Sequence, residues 1–242
     1  MGAAAALVTF APAQWLTQSV TSQTQGRVLL DHVRGTIWNG SARVALAGGQ
    51  GSSAAVALTT PLDWKLRLGW NGLTAHLSTL CCTNQFTTLR VQPRWGGGRL
   101  KFDDSTSQWP AGLLAGLGTP WNTLQLDGNL ALSTQGLSVE WVNGRVSVAG
   151  RAELMAQRMS SRLSTLRPMG SYRMTLSGGA TPSVQLETLE GSLNLSGSGQ
   201  WVGSQLHFSG VASAAPERED ALANLLNIIG RRNGPRSIIT IG

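Results

Sequence analysis

From Val28 onward the chain alternates apolar and polar residues two by two, and Gly, Asn or Pro interrupts nearly every run. Trp64-Leu66-Leu68-Trp70, Leu73-Ala75-Leu77, Leu137-Val139-Trp141 and Leu193-Leu195 are among the clearest runs. Successive side chains of a strand point to opposite faces, so this period builds sheets with one apolar face and rules out a mainly helical domain. Turn signals every 8–12 residues make neighbouring strands antiparallel. The pattern predicts a mainly β protein with one or more strongly twisted or curved antiparallel sheets, shaped as a groove, half-barrel or sandwich.

The corners of this pattern repeat. Trp38-Asn39-Gly40, Trp70-Asn71-Gly72 and Trp141-Val142-Asn143-Gly144 each set an indole just before an Asn-Gly pair, and Trp201-Val202-Gly203 is a weaker version. Asn-Gly suits a hairpin turn because both residues accept positive φ at low cost. These corners predict hairpins, with Asn39-Gly40 turning the chain and Trp38 packing beside the turn. Trp38, Trp70, Trp141 and Trp201 become candidate lip residues for contact with a partner.

Three stretches break the alternation. Residues 109–121 hold Pro110 at a helix-start position and Gly118 and Pro120 as stops, and could join two β lobes. Residues 160–172 suggest a helical turn ending before Pro168. Residues 215–230 predict a short C-terminal helix: Pro216 at its first position, acids in its first turn, a Leu222-Leu225-Leu226-Ile229 stripe and Gly230 as cap. At the other end, Gly2 to Ala11 is an unbroken apolar run. As a helix it would reach about 15 Å, half of a bilayer core. It has no basic flank, so it reads as the C-terminal part of a truncated membrane helix over residues 1–16, ended by Pro12 with Trp15 at the interface. Residues 17–242 then form the β-rich domain.

Only 13% of the residues are charged, against about a quarter in an average domain. The net charge is nevertheless +7. Nucleic-acid binding needs a clustered basic face with interleaved aromatics, and the one cluster is Arg231, Arg232 and Arg236. A deficit of acids accounts for the charge in the simplest way, and contact with an anionic headgroup or acidic protein is the other reading. Cys81 and Cys82 are adjacent, which excludes CxxC redox and zinc-cage spacings. They are two free thiols, a vicinal disulfide or an interchain pair. The chain has no phosphate-binding, nucleophile-elbow or dinucleotide motif. His32, His76 and His207 are scattered. Asp103-Asp104 sits in a polar loop, and Glu217 and Glu219 belong to a helix start. No catalytic residue, metal ligand or cofactor is predicted, and the chain reads as a non-enzyme.

The block "GRVLLDHVRGTIWNGSA" and the later "LRPMGSYRMTLSGG", "LETLEGSLNLSGSGQW" and "LHFSGVASAAPEREDALANLLNIIGRRNGPRSIITIG" resemble the type II secretion system protein N family over nearly the whole chain. The resemblance implies a bitopic inner-membrane protein with a periplasmic β domain. It also implies an accessory role in the export of folded proteins, beside the other inner-membrane and secretin subunits. It supplies no catalytic residues. The chain departs from the family in lacking a basic cytoplasmic tail and half of the helix. A looser resemblance to AsmA-like proteins implies a groove for lipid or another hydrophobic ligand.

Overall fold

The computed structural model describes residues 10–49, 55–83, 85–203 and 205–242. Of the apolar stretch expected to close a membrane helix, residues 1–9 lie outside the described residues. Among those described, no helix is long and apolar enough to cross a membrane.

The predicted alternation becomes one large curved sheet of sixteen strands. In chain order these are β1 (Val28–Gly35), β2 (Asn39–Ala47), β3 (Ala55–Ala57), β4 (Leu62–Gly69), β5 (Gly72–Thr79), β6 (Thr87–Arg94), β7 (Gly97–Phe102) and β8 (Ser105–Pro110). The second half holds β9 (Leu126–Val142), β10 (Arg145–Ser161), β11 (Gly170–Gly179), β12 (Ser183–Gly191), β13 (Leu193–Val202), β14 (Gln205–Ala214), β15 (Arg231–Asn233) and β16 (Arg236–Ile241). All pairings are antiparallel, and the spatial order is β1-β2-β4-β5-β6-β7-β9-β10-β11-β12-β13-β14-β16-β15, with β3 beside β2 and β8 beside β9. The sheet does not close: β1 and β15 are its two ends.

β9 and β10 have 17 residues each, about 56 Å of extended chain. The start of β9 pairs with β8 and its end with β7, so this hairpin joins both halves into one sheet. The 109–121 segment leaves the sheet between β8 and β9 as a 3-10 helix (Ala111–Leu117) and a single turn, α2 (Trp121–Leu124).

The helices pack on one face, and those after β8 lie toward one long margin. α1 (Gln14–Gln23) sets Leu16 against Ala42, Trp64 and Leu66. Leu113 of the 3-10 helix packs on Val44, Leu46 and Leu58. α3 (Glu219–Ile229) buries Leu222, Leu225 and Leu226 almost completely over Leu130, Tyr172, Leu193 and Ala212. The Leu stripe is as predicted, and Glu219 and Asp220 sit in the first turn, where the helix dipole favours them. Pro216 and Glu217 instead form a turn ahead of the helix, and Gly230 is extended rather than a left-handed cap. Gly230 stands there because a side chain would meet the Ile238 carbonyl at 2.5 Å.

Two further expectations change. Residues 162–169 form a loop, not a helical turn. Ser161 accepts from Leu163 N–H and Ser164 from Leu166 N–H, local bonds that compete with helix. Asn39-Gly40 does not turn the chain. Thr36, Ile37 and Trp38 do, held by Thr36 N–H to Asn39 O (3.0 Å) and Asn39 N–H to Thr36 Oγ1 (3.2 Å). Gly40 lies inside β2 opposite Trp64, and a methyl on it would stand 2.6 Å from the indole Cζ2. Trp70 and Asn71 form the β4–β5 loop ahead of Gly72. Only Asn143-Gly144 has both residues at positive φ, 51° and 77°, as an Asn-Gly hairpin turn requires.

Candidate interaction surface

Strand register lines up the hairpin tips. Gly69 opposite Gly72 closes β4–β5, Arg94 opposite Gly97 closes β6–β7, and Val142 opposite Arg145 closes β9–β10. Backbone bonds tie neighbouring tips together: Leu66 N–H to Trp38 O (2.7 Å), Asn143 N–H to Gly96 O (3.0 Å) and Trp201 N–H to Pro182 O (3.0 Å). The tips therefore share one long margin, opposite the 3-10 helix, α2 and α3.

The sequence-predicted indoles all reach this margin. Trp70 is fully exposed at its tip (106%), Trp141 is 40% exposed, and Trp38 and Trp201 are half-buried. Trp95, at the β6–β7 tip, is fully exposed too (100%). It was legible in the sequence: "RWGGG" puts an indole before a glycine turn as the other corners do. Arg231, Arg232 and Arg236 are not part of this row. They are exposed on β15 and the start of β16, at the terminal edge of the sheet. Charged side chains there discourage pairing with another strand.

Between tips and helices runs an uncovered apolar ladder. Leu68 pairs with Leu73, Leu73 with Val91, Val91 with Leu100, Leu100 with Val139 and Val139 with Val148. Directly paired residues share a face, and this is the face that carries the helices. Leu68 and Val91 are exposed and the others half-buried, so no layer among the described residues closes the ladder.

The polar groups are committed to structure. Arg90 holds Asp103 through two bonds of 2.6 and 2.8 Å, and Gly136 N–H donates to Asp104 Oδ1 at 2.6 Å. Arg99 pairs with Glu140 across β7 and β9. His76 Nδ1 lies 3.1 Å from Thr88 Oγ1, and His32 and His207 stand on β1 and β14, far along the sheet from it. Cys81 and Cys82 are bonded to each other in the β5–β6 loop, where buried Cys82 packs on Leu58 and Leu113. What the geometry offers is surface: an apolar ladder and a row of indoles.

A sequence model of the type II secretion system protein N family matches residues 26–239. The chain belongs to that family. It is thus a component of the type II secretion machinery, and the family match covers every strand from β1 into β16. No curated protein and no solved structure matches it. For this protein N family member, then, the open sheet itself describes the fold, with the 3-10 helix and α3 at one margin and the row of tip tryptophans at the other.

Proposed function

We propose that this protein N family member is a non-enzymatic accessory component of the secretion machinery, anchored in the inner membrane near residues 1–16 and acting through a periplasmic β domain, residues 17–242. The family match over residues 26–239 carries the reading. The apolar Gly2–Ala11 stretch supports the anchor, and the Ser-, Thr- and Gly-rich composition suits an exported domain. Its partners are other inner-membrane subunits and the secretin, met through an exposed sheet edge or, by charge rather than strand pairing, the basic end at Arg231, Arg232 and Arg236. Co-purification of the membrane-extracted chain with these subunits tests it. If none is retained, and deleting the gene leaves secretion intact, the reading falls.

The uncovered ladder from Leu68 to Val148 favours a second reading, a groove that holds a lipid chain as in AsmA-like proteins. An apolar face left half-open in a monomer marks a binding surface more often than an accident of packing. Native mass spectrometry of protein extracted from membranes decides: a homogeneous ligand-free mass rules this reading out.

A further inference from the structure

We infer that the tryptophan-bearing margin of the sheet is a membrane-contact surface whose partner is the anionic headgroup layer of a lipid bilayer. The inference rests on the anchoring proposed above and adds which side of the domain faces the membrane.

The point where the chain enters the sheet comes first. Ala13 N–H donates to Gly35 O at 3.1 Å and Ile37 N–H to Ala11 O at 3.0 Å, and Pro12 bridges to Thr36. Residues 11–13 are thereby fastened to the β1–β2 tip, on the same margin as Trp38, Trp70, Trp95 and Trp141. Phe10, the residue before them, is exposed. The apolar segment that precedes it in sequence joins the domain at this margin, where α1 also begins, and not at the one that carries α3. An anchor that ends here holds the tips, rather than α3, against the surface it enters.

The chemistry of the tips agrees. Trp70 and Trp95 project fully from neighbouring hairpins, two strands or about 10 Å apart. Tryptophan concentrates at membrane interfaces because its ring is apolar and its N–H still finds a polar partner. Leu68, Val146 and Val202, beside the tips, are exposed as well. The tip segments 34–39, 67–73, 93–97, 141–146, 179–183 and 200–206 contain four arginines, Arg34, Arg67, Arg94 and Arg145, and no Asp or Glu. None of the four joins an ion pair among the described residues. The acids Glu217, Glu219 and Asp220 lie at the opposite margin, before and at the start of α3. Each arginine near an anionic leaflet adds attraction. The indoles are separate points along a line and not a packed patch. A fluid layer accepts such points one by one, whereas a protein partner needs a continuous complementary surface.

The test uses the full chain reconstituted with vesicles of phosphatidylethanolamine and phosphatidylglycerol carrying brominated acyl chains. Flotation reads anchoring, and bromolipid quenching of tryptophan emission reads contact of the margin. The wild type should float and be quenched. The double variant Trp70→Phe, Trp95→Phe, conservative at two fully exposed sites, should float equally and lose most of the quenchable emission. Trp121→Phe, at the helix margin, should lose none. Flotation with quenching undiminished in the double variant overturns the margin assignment and leaves the anchor standing. Failure to float overturns both. A photoreactive residue at position 95 should capture lipid in cells; capture of protein alone reassigns the margin to a protein partner.

Discussion

The indole of Trp141 fills the space over Gly98, its cross-strand partner on β7: a methyl group on that glycine would stand 2.7 Å from Cζ2. The same relation recurs between Trp64 and Gly40, and the ring of Phe208 covers the cross-strand pair Gly197 and Gly210 beside it. Along this sheet the large rings lie over positions kept free of side chains, which cover strands that would otherwise expose bare backbone.

Gly98→Ala should therefore destabilise the domain by about 2 kcal/mol, the usual cost of forcing atoms into an occupied site. Gly69→Ala is the control. Its nearest neighbour would be an ordinary contact at 3.7 Å, and the substitution should be neutral or stabilise by about 0.5 kcal/mol through the unfolded chain. Urea denaturation of the two variants reads the contrast.

Leu225 is buried to 1% in the α3 contact with the sheet. Leu225→Ala should cost about 3 kcal/mol, from lost transfer energy and the cavity left behind. Circular dichroism at rising temperature should show one lowered transition if α3 and the sheet unfold together.

Tyr172, the single tyrosine, is buried with no hydrogen-bond partner for its hydroxyl among the described residues. Tyr172→Phe removes an unsatisfied group and should stabilise by about 1 kcal/mol. Burial also pushes the hydroxyl's pKa above its ordinary 10.0. Below pH 10 both folded and unfolded chains keep the proton, so stability does not change on this account. As pH rises past 10 the unfolded chain loses it first and wild-type stability falls. The Phe variant should lack that part of the alkaline decline, and tyrosinate absorbance of the wild type should lag until unfolding.

The Arg90–Asp103 pair is bidentate, yet both side chains are partly exposed. Solvent screens such pairs, so Asp103→Asn should cost less than about 1 kcal/mol and less again in high salt. Denaturation at two salt concentrations measures it.

The alternation of Leu, Val and Trp showed the strands because period two has only one regular solution. The Leu stripe of α3 and the Trp corners were legible for similar local reasons. The turn at Thr36–Trp38 was not. Asn39-Gly40 carries the same hairpin signal as Asn143-Gly144, but that glycine answers to Trp64, 24 positions later. The 162–169 loop was missed because its serines bond the backbone locally. β8 was hidden in "STSQWP", whose polar residues gave no apolar face to read. Which margin the indoles share depends on register across many strands, and no single segment holds that information.

The order of strands bears on how such a chain is made. Most strands pair with the one just before them, and the skips at β3, β8 and β15 are short. Pairing of sequence neighbours closes only short loops and keeps contact order low for a β protein. Each hairpin can zip onto its predecessor as the polypeptide is made, with no final closure to wait for. An open meander of this kind is suited to assembly in the order of its own sequence, starting at β1 and growing toward β16.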